Sequence, residues 1–333
     1  MSRRAWIAFA TCSVLWGIPY FLIKVAVGEV SPAFVAWSRV ALGAAILIPI
    51  AWRVGAFRGV RERWPIVLAF AVIEIAIPFT LIPVGEKWIS SSLAAILIAA
   101  VPLTVALMTI RFNPAERVQG ARLVGLFVGL AGVIALMGID VAGRPKELLG
   151  AACMLVATVG YAAGPMLIRM KMSDLHPRGP VASSLGVAAI IMAPAGIATA
   201  PGHVPAAKVI WSIAGLGVAC TAIALATMFF LVAEAGPSRA SIITYVNPVI
   251  AVALGVAFLG ESLRAGMIAG LLLILAGSWM ATGGRPPGGL TRLARPRGGR
   301  KPRHAEHVEV RPEAVSRLAF RRRADGLPRP SPS

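Results

Sequence analysis

Apolar residues in this chain come in long unbroken runs, and polar residues gather in the short gaps between them. Ten runs of about 18 to 25 residues are visible, the length that crosses a bilayer core as a helix. They cover roughly 5–26, 32–53, 64–84, 90–111, 118–138, 148–169, 180–200, 209–233, 239–259 and 264–283. Each is continuously apolar, without the short alternation of a membrane β-strand, so helices are expected rather than a barrel. The pattern predicts an all-α integral membrane protein of ten transmembrane helices. The first run follows Arg3-Arg4 but is too long for a signal peptide, carries Pro19 and Lys24, and lacks a small-residue cleavage site. It is expected to remain as the first span.

The runs also repeat. Trp16, Lys24, Glu116, Gly125 and Ala131-Gly132 find counterparts 145 residues later in Tyr161, Arg169, Glu261, Gly270 and Ala276-Gly277, and Pro102 and Pro248 are offset by 146. Residues 1–140 form a first repeat of five spans, 141–284 a second, and 285–333 a tail. An odd number of spans per copy makes the two copies insert upside down relative to each other, the architecture of many secondary transporters.

Composition narrows the class. Hydrophobic residues make up 57% of the chain and charged residues 14%, which excludes a soluble domain of this length. Placing the N-terminus inside gives the cytoplasmic loops Arg3, Arg4, Arg53, Arg58, Arg61, Arg63, Arg111, Arg117, Arg122, Arg169, Lys171, Arg178 and Arg239. The other face receives Lys24, Lys87, Arg144, Lys146, Lys208 and Arg264, so thirteen cations oppose six. The positive-inside rule then puts both termini in the cytoplasm of a multi-pass protein of the inner membrane. The tail carries +9 of the net +19 and too few apolar residues to bury a core, so it is expected to be disordered and drawn to anionic lipid headgroups. With aromatic residues nearly absent from it, nucleic acid is not an expected partner. Cys12, Cys153 and Cys220 all fall in apolar runs, which suggests neither a disulfide framework nor a metal site, and no cofactor is expected.

Several short motifs occur in a definite order: Leu15-Trp16-Gly17, Ser31-Pro32 followed by Arg39, Ser238-Arg239-Ala240-Ser241, Asn247-Pro248 and Phe258-Leu259-Gly260-Glu261. Over residues 5–283 the chain thereby resembles the EamA-type transporters of the drug/metabolite transporter superfamily. That resemblance implies ten spans in two EamA repeats, export of a small metabolite or drug-like solute, and coupling to protons. The first repeat departs from the pattern, with Asn113-Pro114-Ala115-Glu116 where Leu-Gly-Glu is usual, and the position matching Arg39 is Ser184.

Charges inside spans carry the candidate chemistry, because each costs on the order of 2.5–3.5 kcal/mol by insertion scales. Glu74 lies near the middle of the third span with no charged neighbour within a helical turn, a place for a carboxyl that binds and releases a proton. Its structural alternative is a carboxyl that only links two helices. Arg39 lies about seven residues into the second span, roughly 10 Å deep by helix rise. Depth favours a guanidinium snorkelling to the interface, and the alternative is a cavity-facing cation pairing with Glu74 or an anionic solute group. Pro19, Pro78, Pro102, Pro165, Pro194 and Pro248 fall within spans and free backbone carbonyls. Near them, Trp16, Thr80, Tyr161, Tyr245 and Asn247 could form a central, partly aromatic pocket at the repeat interface. Helix kinking and core packing are the plainer reading of any one of them.

Other polar residues suggest structural work. Glu116 and Glu261 occupy matching loops, and Glu261 is expected to cap the helix that follows it. Lys24 and Arg169 read as anchors at span ends, while Glu86, Lys87 and Glu234 read as solvated span ends. The glycine pairs Gly125/Gly129, Gly160/Gly164 and Gly266/Gly270, each four apart, predict close helix contacts. No phosphate-binding loop, dinucleotide fingerprint, His-Glu-x-x-His or Gly-x-Ser-x-Gly motif is present, and His176, His203, His304 and His307 all lie outside the spans. The expectation is a secondary transporter rather than an enzyme, acting on a small solute in contact with lipid, with a homodimer left open. A membrane-embedded enzyme or a flippase acting on lipid-linked substrates is the alternative.

Overall fold

The computed structural model describes residues 1–112, 120–137 and 143–282. Glu116 and the basic tail lie outside the described residues. Among those described, every regular element is helical. In chain order the apolar helices are α1 (Arg3–Ala26), α2 (Pro32–Arg53), α3 (Arg61–Glu86), α4 (Ser91–Ile110), α5 (Ala121–Leu136), α6 (Pro145–Lys171), α7 (Arg178–Ala198), α8 (Ala207–Ala235), α9 (Ile243–Leu259) and α10 (Ala265–Ala281). Seven are long and apolar enough to cross a membrane, while α5, α9 and α10 are shorter. The ninth apolar run is divided, for a single turn at Pro237–Ala240 precedes α9 and the chain turns at Ser241-Ile242 between them.

The longer helices are not uniform, and most irregularities have local causes. In α1 the helix is interrupted at Ile18, just before Pro19, which has no amide to donate. The interruption of α4 at Ala99-Ala100 precedes Pro102 in the same way. Helix α3 widens into a π-helical segment over Ala71–Ala76, where the Ile77 amide reaches back to the Val72 carbonyl. Pro78 follows and has no amide to bond the Glu74 carbonyl four residues earlier, a mismatch that a widened turn accommodates. Helix α8 widens over Gly215–Ile223 without a proline. There the Thr221 hydroxyl donates to the Leu216 carbonyl five residues back, at 2.8 Å, and supports the wide turn. The two wide segments coincide once the 145-residue offset is applied.

Small residues set the packing. Gly125 lies against Ala281, Gly129 against Gly277 and Leu136 against Gly270, so α5 and α10 run antiparallel with their backbones nearly touching. A Cβ at Gly277 would overlap the Gly129 backbone. Helices α2 and α7 are antiparallel in the same manner, with Trp37 on Gly196, Ile48 beside Gly186 and Ala56 on Gly179. Helix α6 meets α3 through Gly150, Gly160 and Gly164, which lie on Gly85, Pro78 and Glu74. Phe127, Ile134, Ile190 and Leu272 point outward from the bundle, as lipid-facing side chains do.

Candidate functional site

Two helices of the first repeat and two of the second bring polar groups together inside the bundle. Arg39 of α2 is 7% exposed. It does not snorkel. Its Nε donates to Thr221 Oγ1 at 3.0 Å, and its guanidinium carbon lies 4.1 Å from the centre of the Phe79 ring. Thr221 stands in the wide segment of α8, and Phe79 follows the wide segment of α3. The Phe79 ring in turn meets Tyr161 of α6 edge-on, with centroids 6.3 Å apart and planes at 75°. A hydrogen bond and a cation–π contact satisfy part of the guanidinium. No carboxylate pairs with it among the described residues, where Arg63–Asp174, Arg144–Glu147 and His203–Glu29 do form ion pairs.

Glu74 occupies the wide segment of α3 and sits on Gly164 of α6, where a Cβ would overlap the carboxylate. Its Oε2 is sealed from solvent and has no hydrogen-bond partner. Tyr161 lies one turn before Gly164 on α6, so the run from Arg39 through Phe79 to Tyr161 and the Glu74 carboxyl meet along the same helix. Glu74 and Arg39 do not form an ion pair. The wide turn, the glycine seat and the missing partner together leave a carboxyl group poised at the contact between α3 and α6.

The remaining expected residues are dispersed. Thr80 is half-buried on α3 beside Phe79 in the chain. Trp16 packs against the cluster of Ala5, Ala8, Cys12, Leu231 and Ile243. Asn247, in the amide orientation that pairs it, donates to the carbonyls of Ile243 at 3.0 Å and Ser13 at 3.1 Å, so it ties α9 to α1. Tyr245 bonds Thr282 at the end of α10, at 3.1 Å. Arg39, Glu74 and Tyr161 thus share one neighbourhood, whereas Trp16, Asn247 and Tyr245 have partners elsewhere.

Three expectations for charged residues need correction. Glu86 is not solvated: it is 0% exposed, because the end of α3 is enclosed by α1, α4 and α6. Lys24 does more than anchor a span end, since its Nζ donates to the carbonyls of Glu86 at 2.6 Å and Ile89 at 2.7 Å. Glu261 caps a helix, but not the one that follows it. Gly260 takes the left-handed conformation at the end of α9 (φ 64°) and turns the chain back. Glu261 then accepts from the amides of Ser91 at 2.7 Å and Ser92 at 2.9 Å, and from the Ser92 hydroxyl at 2.6 Å, at the start of α4. The signal missed in sequence was Ser90-Ser91-Ser92, whose Ser90 hydroxyl accepts from Leu93 at 3.1 Å and completes the cap.

Both ends of the bundle are strapped. At one, Ser2 bonds Glu234 at 2.7 Å, and Arg63 reaches Asp174 and the Lys171 carbonyl. At the other, Ser31 bonds Thr199 at 2.7 Å and Glu29 accepts from the Ala206 amide at 2.7 Å. These links join segments far apart in sequence at the two ends of the bundle.

The sequence matches the EamA-like transporter family twice, over residues 4–138 and 148–283. It is 25% identical over 285 residues to an uncharacterized transporter of Archaeoglobus fulgidus, covering 83% of this chain and 98% of that protein. It is 24% identical over 275 residues to the uncharacterized transporter YvbV of Bacillus subtilis, covering 82% and 89%. Identity to the uncharacterized inner membrane transporter YedA of Escherichia coli is 27% over 259 residues, covering 75% and 81%. A crystal structure with 21% sequence identity shares the fold, with a TM-score of 0.59 over 85% of this chain and 97% of its own. Two matches over most of the length, on a multi-pass set of apolar helices, establish that the chain belongs to the EamA-like transporter family.

Proposed function

We propose that the protein is a proton-coupled secondary transporter that moves a small metabolite or drug-like solute out of the cell by alternating access. In this reading ten helices cross the inner membrane as two inverted repeats of five, with both termini cytoplasmic. The antiparallel registers of α2 with α7 and of α5 with α10 support the inversion, since each pair joins counterpart helices of the two repeats. The thirteen-to-six cation bias supports the orientation. Direction and coupling ion follow from the family resemblance.

One observation carries the mechanism: the Glu74 carboxyl lies in a wide helical turn, with Oε2 sealed and unpartnered, at a contact between repeats. A carboxyl so held changes its proton affinity when a helix movement admits water or a neighbouring cation. Arg39, held by Thr221 and Phe79, supplies positive charge for an anionic group of the solute, and Tyr161 packs edge-on against that same Phe79 ring. Opening one strapped end while the other stays closed would expose this group to one side at a time. Enzymatic action is not part of this reading.

Purified protein in lipid vesicles tests it, with solutes drawn from a metabolite-release screen of deletion and overexpression strains. An imposed pH gradient should drive solute accumulation by the unaltered protein, and Glu74→Gln should abolish the gradient dependence while leaving insertion intact. Full gradient-driven activity in that variant removes Glu74 from the mechanism. Lipid scrambling without solute movement turns the assignment to a flippase.

A further inference from the structure

The end of α3 holds a second carboxyl group that the transport reading does not use. Glu86 is fully buried, and neither Oε1 nor Oε2 has a hydrogen-bond partner. An ionised carboxylate so enclosed requires donors or a paired cation, and it has no donor here. The nearest candidate cation is otherwise engaged. Lys24 directs its ammonium to the backbone carbonyls of Glu86 and Ile89, at 2.6 and 2.7 Å, and so satisfies acceptors left over where α3 ends.

The groups facing this carboxyl come from every side. Helix α1 contributes Lys24 and Tyr20, and the charge of Arg39 on α2 acts from farther off, where it is held by Thr221 and Phe79. The α9–α10 loop contributes Glu261, whose oxygens are already taken by the amides of Ser91 and Ser92 and the Ser92 hydroxyl. Helix α6 brings Cys153 against Gly85, the residue before Glu86, and Lys87 follows at the surface. The Ser91 hydroxyl at the start of α4 is also buried without a partner. With Glu261 committed to a helix cap and Lys24 committed to carbonyls, Glu86 is the carboxyl group at this corner with unused capacity.

We infer that Glu86 is a second proton-binding site, separate from Glu74, and that it carries its proton in the conformation described. The position of Lys24 is linked to that proton. When Glu86 is neutral, the ammonium stays on the carbonyls and ties α1 to the α3–α4 corner. When Glu86 gives up its proton, the new negative charge draws the ammonium to the carboxylate, and the tie to the Ile89 carbonyl is released. The step moves one proton between Glu86 and water, with no other bond formed or broken. Glu86 lies at the end of α3 and Glu74 in its wide segment, twelve residues apart on one helix, so the two carboxyls occupy separate levels of the bundle.

Infrared difference spectra of the full chain in lipid, taken between acidic and alkaline pH, read the protonated carboxyl band directly and need no solute. The unaltered protein should lose two buried carboxyl bands as pH rises. Glu74→Gln should keep one, Glu86→Gln should keep the other, and the double variant should show neither. Carbon-13 labelling of glutamate should shift both bands. If Glu86→Gln does not fold, Glu86→Asp serves instead and should display its remaining band at a displaced position. The inference is overturned if Glu74→Gln shows no pH-sensitive buried carboxyl band. It is also overturned if that band survives unchanged in Glu86→Gln. Both readouts are independent of whether Glu74 couples transport, so failure of one assignment leaves the other legible.

Discussion

Helices α3 and α8 are counterparts in the two repeats, and each contains a π-helical segment at the matching position. The backbone irregularity is the same; its cause and its chemistry differ. In α3 the wide turn precedes a proline and presents the carboxyl of Glu74 to Gly164. In α8 a threonine hydroxyl supports the wide turn, and Thr221 spends its oxygen on Arg39 while its methyl group lies on Gly43. Duplication has kept a place where helix bonding is relaxed, and divergence has filled it once with an acid and once with a bracket for a base. Wide turns of this kind tend to occur at functional sites because they free backbone groups and re-aim side chains.

Substitutions in the two segments should separate these roles. The largest effect belongs to Glu74→Gln, which should lower gradient-driven transport at least tenfold, equivalent to about 1.4 kcal/mol of lost coupling, measured in vesicles with and without the gradient. Gly164→Leu places a side chain where the carboxyl lies and should destabilise the protein by about 1–3 kcal/mol through overpacking, read as a lower unfolding temperature in detergent. Thr221→Val keeps the shape but leaves the Arg39 Nε without its acceptor, which should cost about 1.5–3 kcal/mol for a bond to a charged group. That variant should keep its pH dependence; if it lost the pH dependence as Glu74→Gln does, the division of labour between the segments would be wrong. Glu261→Ala removes the cap on α4 and should cost about 1 kcal/mol, with faster amide exchange at Ser91 and Ser92. Ending the chain at Gly284 should leave transport unchanged in the same vesicle assay.

Much of the architecture was legible because hydropathy and repetition report on lipid and on ancestry. The apolar runs, the glycine contacts of Gly125, Gly129 and Gly270, and the isolation of Glu74 could be read directly. Other features left no mark that a linear pattern could carry. A π-helical segment has the same hydropathy as an ordinary turn, so Ala71–Ala76 and Gly215–Ile223 were invisible. Thr221 and Phe79 meet Arg39 only through packing between helices distant in sequence. Glu86 lies at the end of an apolar run, where solvent is the natural expectation, and only the enclosure by α1, α4 and α6 removes it from water. The partner of Glu261 was misplaced for a related reason: an acid just ahead of a helix suggests a cap on that helix, whereas its oxygens serve amides 170 residues away.

That last contact bears on how such a chain can be divided. The first amides of α4 lie in one repeat, and the oxygens that occupy them lie in the other. A gene fragment encoding only the opening five helices would leave the Ser91 and Ser92 amides, at the start of α4, without the carboxylate that caps them. The cap thus joins the halves, and the opening fragment expressed alone should be less stable than the same fragment supplied together with the second in one cell.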